Sequence, residues 1–405
     1  MSGAVGALVG GAADARSGRP RVHLTAPSGW LNDPLGVTYR DGLYHLFFQS
    51  LPGATAWAPQ CQWAHAVSPD LVRWEHRPTA LVPGPDELGC WSGGVCVVPD
   101  GAAGRVTVRL FYTSVTAPDL DLGAVRTAAP LDDRWDAWER GPVVVRAPTA
   151  EDLRVFRDPV VFAEAGAWRM LVGAGRRDGT PAVLTFLSGD LDTWTYAGVL
   201  ADGPGAAGTT EQPGSGPVAA GAAWECPQLF RVGDRHVLVV STWSAGVTGE
   251  VLAALGTYRD GRLRVERWQR LTSGGGHYAP TAFVDAAGAP CLLFWVRGVG
   301  DPSGAWTGAL SVPYRVTVHD DEDVVRLAPH PAVLEAVAGS SAPGLRHELV
   351  PGTGGGPDTH VLLDGPLLEV CTGTTLLALP APAFQGDGSG GGDGPGGDGD
   401  GGGQP

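Results

Sequence analysis

Residues 36–49 read GVTYRDGLYHLFFQ: an alternating run, an Asp-Gly pair at 41–42, then a run that is apolar almost throughout. This is the pattern of a β-hairpin. Asp-Gly suits the positive-φ places of a tight turn, and runs of this length and period fit strands rather than a helix. The pattern returns as VCVVPDGAAGRVTVRLFYTS (95–114), PVVFAEAGAWRMLVGA (159–174), PQLFRVGDRHVLVVST (227–242) and PTAFVDAAGAPCLLFWV (280–296), so a unit begins roughly every 60 residues. A second echo runs through the chain. Ser68-Pro-Asp70-Leu71-Val-Arg-Trp74 reappears as Ser188-Gly-Asp190-Leu191-Asp-Thr-Trp194, two units later.

No stretch carries a sustained helical period, so the fold class is all-β. Five β units of this size predict a five-bladed β-propeller of four-stranded blades around a channel. A single sandwich is a poorer fit to some 300 residues of evenly spaced hairpins. Residues 1–20 are rich in Gly and Ala and are expected to be disordered. The tail from 386 to 405, GDGSGGGDGPGGDGDGGGQP, has nothing to bury and is expected to stay solvated.

Composition narrows the partners. A formal net charge of −15 argues against nucleic acid, and no run is long enough to span a membrane. Fourteen Trp in an acidic chain suit a neutral ligand such as a sugar. The six Cys (61, 90, 96, 226, 291 and 371) show neither CxxC pairing nor zinc spacing with His. They are expected as reduced core thiols, with no metal and no cofactor. The N-terminus has no charged segment followed by an apolar run, so the expected location is the cytoplasm.

The chain contains one asparagine, Asn32, and no Lys or Ile, the residues whose codons are poorest in G and C. The survivor stands in Trp30-Leu31-Asn32-Asp33-Pro34-Leu35-Gly36, beside an acid that proline holds extended. Two further acids precede a proline at the start of a repeat unit: Asp158 in Phe156-Arg157-Asp158-Pro159 and Glu225 in Trp224-Glu225-Cys226-Pro227. In a propeller such places converge on the channel mouth. Carboxylates gathered there raise one another's pKa, as general acid catalysis at neutral pH requires.

These three motifs, in this order, resemble glycoside hydrolase family 32, the β-fructosidases that include invertases, levanases and inulinases. Further matches are His45-Leu-Phe-Phe-Gln49, Trp63-Ala-His65-Ala-Val-Ser-Pro-Asp70-Leu71, Gly89-Cys90-Trp91-Ser92-Gly93 and Trp306-Thr-Gly-Ala-Leu-Ser311-Val-Pro. The resemblance implies a five-bladed propeller over 21–318 followed by a β-sandwich, here shortened to a module at 319–385. It implies Asp33 as nucleophile, Glu225 as acid/base and Asp158 as the residue that grips sugar hydroxyls in the transition state, the two-carboxylate retaining mechanism. Arg157 would pair with Glu225. Asn32, Gln49, Trp57, Trp91, Ser92 and Trp295 would line the sugar site, with Tyr278 beside them. Trp63, Trp74, Trp194 and Trp243 are read as packing, and His65 and His236 as structural.

Two departures from the family pattern stand out. Leu35 replaces an Asn or Gln and Gly276 replaces an acid, and both are expected to reshape the mouth of the site. The expected activity is release of fructose from sucrose, fructo-oligosaccharides or fructans. A fructosyltransferase using the same residues and a non-catalytic fructoside-binding protein are the alternatives. A shortened C-terminal module would leave apolar propeller surface uncovered, for which a homodimer is one solution.

Overall fold

The computed structural model describes residues 18–99, 106–203, 209–210, 218–319, 323–352 and 356–381. Of the expected disorder over 1–20, residues 1–17 lie outside them, as do the 386–405 tail and the turn at 100–105. Residues 18–20 are described, and there Pro20 is buried and Arg19 donates to Thr25 Oγ1, contrary to expectation.

The chain is almost wholly β. Four antiparallel four-stranded meanders follow one another: Gly29–Arg40 through Glu75–Leu81, Gly89–Pro99 through Trp138–Arg146, Leu153–Glu164 through Thr195–Asp202, and Ala223–Val232 through Arg262–Arg270. A fifth unit begins with His277–Val284 and Pro290–Gly300, and its strand Trp306–Leu310 pairs in parallel with the first strand of the chain, Gly29 opposite Trp306. The hairpins read from the sequence are the first two strands of these five units.

The sheets pack on one another in chain order. Leu35, Phe47 and Trp63 of the first meet Leu110, Tyr112 and Trp135 of the second. Phe111 and Val125 of the second meet Phe156 and Met170 of the third. Leu171 and Val183 of the third meet Trp224 and Leu238 of the fourth. The fifth unit's Phe283 and Leu292 join a cluster with Val237 of the fourth and Phe48 of the first. The second strand of each unit is therefore covered on both faces: Leu43–Leu51 is buried at every residue but its first. That is why these strands read as unbroken apolar runs and not as alternation. The Ser-x-Asp-Leu echo forms the same turn twice. Leu71 and Leu191 have φ of 67° and 69°. Asp70 Oδ1 accepts from the amides of Val72 and Arg73, as Asp190 Oδ1 does from Asp192 and Thr193.

Among the described residues one helix, Pro331–Ala338, departs from the all-β reading. Pro331 opens it and His330 caps it, with Nδ1 accepting from the Ala332 amide. Eight residues are too short to print a period on the sequence, although the proline was a legible start. Beyond it, Leu345–Val350, Thr359–Asp364, Leu367–Cys371 and Leu376–Pro380 form a sheet with the short strand Thr272–Ser273. Gly365, at φ 58°, turns the hairpin between Thr359–Asp364 and Leu367–Cys371.

This C-terminal sheet is bound to the rest through buried ions. Asp364 accepts from the amides of Arg21 and Val22 and from His23 Nδ1, while Glu369 bridges His23 Nε2 and His277 Nε2, both at 2.6 Å. Gly276 is part of the same junction. A Cβ there would stand 2.3 Å from the Ala378 carbonyl oxygen, so the glycine admits the C-terminal strand. It does not shape the cavity mouth, and neither does Leu35, which is buried between the first two sheets. Both departures act on packing, contrary to expectation.

Candidate active site

The first strand of every unit carries a bulge, and the bulges build the site. In the first, Asn32 and Asp33 together oppose one residue of the neighbouring strand. In the second, Ser92 is the extra residue. In the third, fourth and fifth, the bulged pairs are Asp158-Pro159, Cys226-Pro227 and Ala279-Pro280. Asp158, Cys226 and Ala279 each have positive φ (65°, 47° and 45°), a conformation that non-glycine residues adopt at a cost.

This register corrects the expectation that the three acids occupy one repeat position. Cys226, not Glu225, is the counterpart of Asp158. Glu225 stands one residue earlier, where the other units have Arg157 and Tyr278, and Asp33 one later, where the others have proline. A two-for-one bulge breaks the strict alternation of a strand, so successive residues can face the same side. All eleven residues expected at the site line one cavity of about 680 Å³, within the range of small-ligand sites.

A directed chain of hydrogen bonds ends on Asp33. Trp30 Nε1 donates to Asn32 Oδ1 (2.9 Å), Asn32 Nδ2 to Gln49 Oε1 (3.1 Å), Gln49 Nε2 to Ser92 Oγ, and Ser92 Oγ to Asp33 Oδ2 (2.5 Å). The solitary asparagine must both accept and donate here. Aspartate could not donate, and serine could not span the gap.

Glu225 lies between two donors. Arg157 Nε donates to Oε1 at 2.9 Å and the Tyr278 hydroxyl to Oε2 at 2.5 Å. Arg157 Nη1 also donates to Asp121 Oδ1. The Thr242 carbonyl oxygen is 2.8 Å from the same phenol oxygen. Asp158 accepts from the Cys226 amide at 3.0 Å, and the Cys226 thiol lies 3.5 Å from Asp158 and 3.8 Å from Asp33.

Burial raises the Asp33 carboxyl above its usual range, and the Glu225 charge adds to this against the bonds from Ser92 and Asn32. Asp158 is raised too, by burial first and then by Glu225 and Asp33, with Arg157 opposing. The Cys226 thiol is held well above its ordinary value by burial and the surrounding acids, so it remains S–H.

Aromatic rings form the walls. Trp57 is 49% exposed, which puts it at the rim, with its ring centroid 5.6 Å from that of Trp91. Tyr278, Trp295 and Trp30 stack edge-on around the opposite side. Trp243 is a correction. It lines the cavity with the Arg157 guanidinium 4.8 Å from its ring centroid, and is not simply packing. Trp63, by contrast, is fully buried, and His65 stacks on His45 and Phe47 inside the first sheet pair. Cys226, Asp121 and Trp243 were the residues missed. The first was legible as the middle of Glu-Cys-Pro, whereas the other two come from loops and strand ends with no motif of their own.

All six cysteines are free and buried. Asp285, Cys291 and His330 are the one group among the described residues with metal-like proximity. Arg315 and His330 already donate to Asp285, and the Cys291 thiol is pushed up to about 12 by burial, so the trio is satisfied as a hydrogen-bonded cluster.

The model of the glycosyl hydrolases family 32 N-terminal domain matches residues 23–329. A sucrose-6-phosphate hydrolase of Escherichia coli is 30% identical over 308 residues, covering 72% of this chain and 61% of that one. A raffinose invertase of Escherichia coli is 31% identical over 316 residues, covering 74% and 63%. The chain thus spans about three fifths of the length of these relatives. Among solved structures, a Bombyx mori family 32 β-fructofuranosidase aligns with a TM-score of 0.71 at 22% identity, covering 94% of this chain and 92% of that one, a likeness of fold.

Proposed function

The chain belongs to glycoside hydrolase family 32, and we propose that it is a retaining β-fructosidase that releases fructose from sucrose, fructo-oligosaccharides or fructans. The observation that carries this is the gathering of Asp33, Asp158 and Glu225 on one aromatic-walled cavity, each with a different set of partners. Five packed units with five bulged first strands support a five-bladed propeller over 21–318, with 319–385 as a C-terminal module.

In this reading Asp33 attacks the anomeric carbon. Its oxygen is aimed by Ser92, and the donor chain behind Ser92 stabilises the ionised form that a nucleophile needs. Glu225 protonates the departing oxygen and then, as a carboxylate, takes a proton from water. Tyr278 suits both states. Its hydroxyl donates to Glu225 when that group is ionised, and can turn to the Thr242 carbonyl and accept when Glu225 is protonated. No reorganisation of the wall is then needed between the two half-reactions. Asp158, rigid on its positive-φ bulge, would hold sugar hydroxyls as charge develops on the ring.

Sugar release from sucrose, inulin and levan by the purified protein, beside Asp33→Ala, tests the proposal. Fructose from the wild type alone supports hydrolysis. Glucose without matching free fructose would identify a fructosyltransferase. Sugar binding without turnover by either protein would leave a binding protein and contradict the catalytic reading.

A further inference from the structure

Arg297 is a half-buried cation with no carboxylate in ion-pair contact among the described residues. Its guanidinium carbon lies 4.7 Å from the ring centroid of Tyr278 and 5.9 Å from that of Trp295. Nη1 donates to Thr248 Oγ1 and Nη2 to the Gly249 carbonyl (3.0 Å), both neutral acceptors, and Nε has no partner among the described residues. Arg270 of the fourth sheet and Arg315 of the adjoining strand Tyr314–His319 pair instead with Glu250 and Asp285. A guanidinium taken from water without a carboxylate is costly, and a structure that keeps one must compensate the charge elsewhere.

The compensation lies in front of it. The electron-rich face of Tyr278 meets the cation directly. Beyond that ring are three carboxylates with one arginine in contact. Glu225 is faced by Arg157 and Asp158 from the third sheet, Asp33 from the first, Cys226 on its own strand and Tyr278 from the fifth unit. Asp121 draws on the same Arg157. Burial weakens the proton affinity of Arg297, while the fields of Tyr278, Asp33 and Glu225 strengthen it. Thr248, which holds the guanidinium, lines the cavity, so the cation ties the start of the strand Val247–Arg259 to the wall that carries the phenol.

We propose that Arg297 is a positioning residue for the acid/base. Stacked on Tyr278, it pins the phenol hydroxyl on Glu225 and adds, behind that ring, a positive charge to those of Arg154 and Arg157 at the cavity, which favours ionisation of the carboxylates. The inference rests on Glu225 being the acid/base. A cation near carboxylates lowers their proton affinity, so its removal moves both limbs of the pH–rate profile to higher pH.

The experiment uses Arg297→Met, with Arg297→Gln in its place if Met does not fold and Arg297→Lys as the charge-conserving control. Two readouts are taken. In the pH profile of kcat/KM, Arg297→Met shifts both limbs upward by about half a unit to one unit, while Arg297→Lys keeps them near the wild type. In thermal unfolding, which needs no turnover, the Tm gap between wild type and Arg297→Met widens from acid to neutral pH as the carboxylates ionise. Lower kcat with unmoved limbs, or a Tm gap that does not change with pH, would reduce Arg297 to packing and overturn the proposal. Absence of turnover in the wild type would instead sink the fructosidase reading, and the Tm series would still decide the charge role.

Discussion

The hydrogen-bonding residues of the candidate site are matched in their donors and acceptors. Asn32 is the clearest case, an amide that must accept from Trp30 and donate to Gln49 so that the chain of donors ends on Asp33. Tyr278→Phe should lower kcat/KM about tenfold to a hundredfold, the cost of a charge-assisted bond to Glu225, with little loss of Tm. Steady-state kinetics beside a melting curve checks both. Asp158 gives a test of the electrostatics. Its folded pKa is raised above the unfolded value, so between the two the native state holds a proton that the unfolded chain has released, and stability falls as pH rises through that window. Asp158→Asn should therefore melt above the wild type at about pH 8 and lose the advantage near pH 4, a comparison that calorimetry makes directly. Residue identities were the most legible part of this protein. Asp33, Asp158 and Glu225 stand in short motifs beside prolines, and the sequence order of those motifs survives any change in the loops. Trp243 and Asp121 were not legible, because a tryptophan at a strand end and an acid in a loop look the same whether they face a cavity or a core.

At the level of elements, the bulged first strand is the device that makes the site. It turns a strand whose side chains would alternate between two packed faces into one that presents consecutive residues to the cavity, at the cost of positive φ at Asp158, Cys226 and Ala279. Close contact between units fixes where each bulge lies. Gly173, on the second strand of the third sheet, leaves room for the Trp224 carbonyl oxygen of the fourth, which a Cβ would approach to 2.4 Å. Backbone cannot yield as a side chain can, so Gly173→Ala should destabilise by about 2 kcal/mol or more and lower turnover as well, because Trp224 precedes Glu225. Denaturant melts and kinetics on one variant report both. Hairpins were readable from Asp-Gly and apolar runs, but the bulge register was not. It depends on which residue faces which across a pair of strands, and one residue of slip is invisible in a single sequence.

For the whole molecule, the decisive contact is the junction of the N-terminal segment, the fifth unit and the C-terminal sheet. Burial opposes charge on His23, but Glu369 and Asp364 outweigh it and raise His23 to about 9. Burial likewise opposes charge on Glu369, but the His23 charge and the bonds from both histidines hold its pKa well below the usual carboxylate range. The His23 contribution is complete below its unfolded value and is lost as pH rises through about 9. That of Glu369 is present above its unfolded value and is lost as pH falls through its depressed one. The junction's contribution should therefore hold level only from about pH 5 to 6.5 and decline from there to about pH 9, and Glu369→Ala, which strands a buried His23, should cost about 3 to 5 kcal/mol. His277 precedes Tyr278 in the chain, so this junction also secures the strand that reaches Glu225.

The central claim is that Asp33 forms a covalent bond to fructose. Glu225→Gln offered a fructosyl donor with a leaving group that needs no proton, such as fructosyl fluoride, should complete the first step and stall before water attacks. Intact-mass and peptide-mapping spectrometry of the quenched protein should then find one fructosyl unit on the peptide containing Asp33. An unmodified protein, or a fructosyl unit on any other residue while the wild type turns over its substrate, would contradict the account.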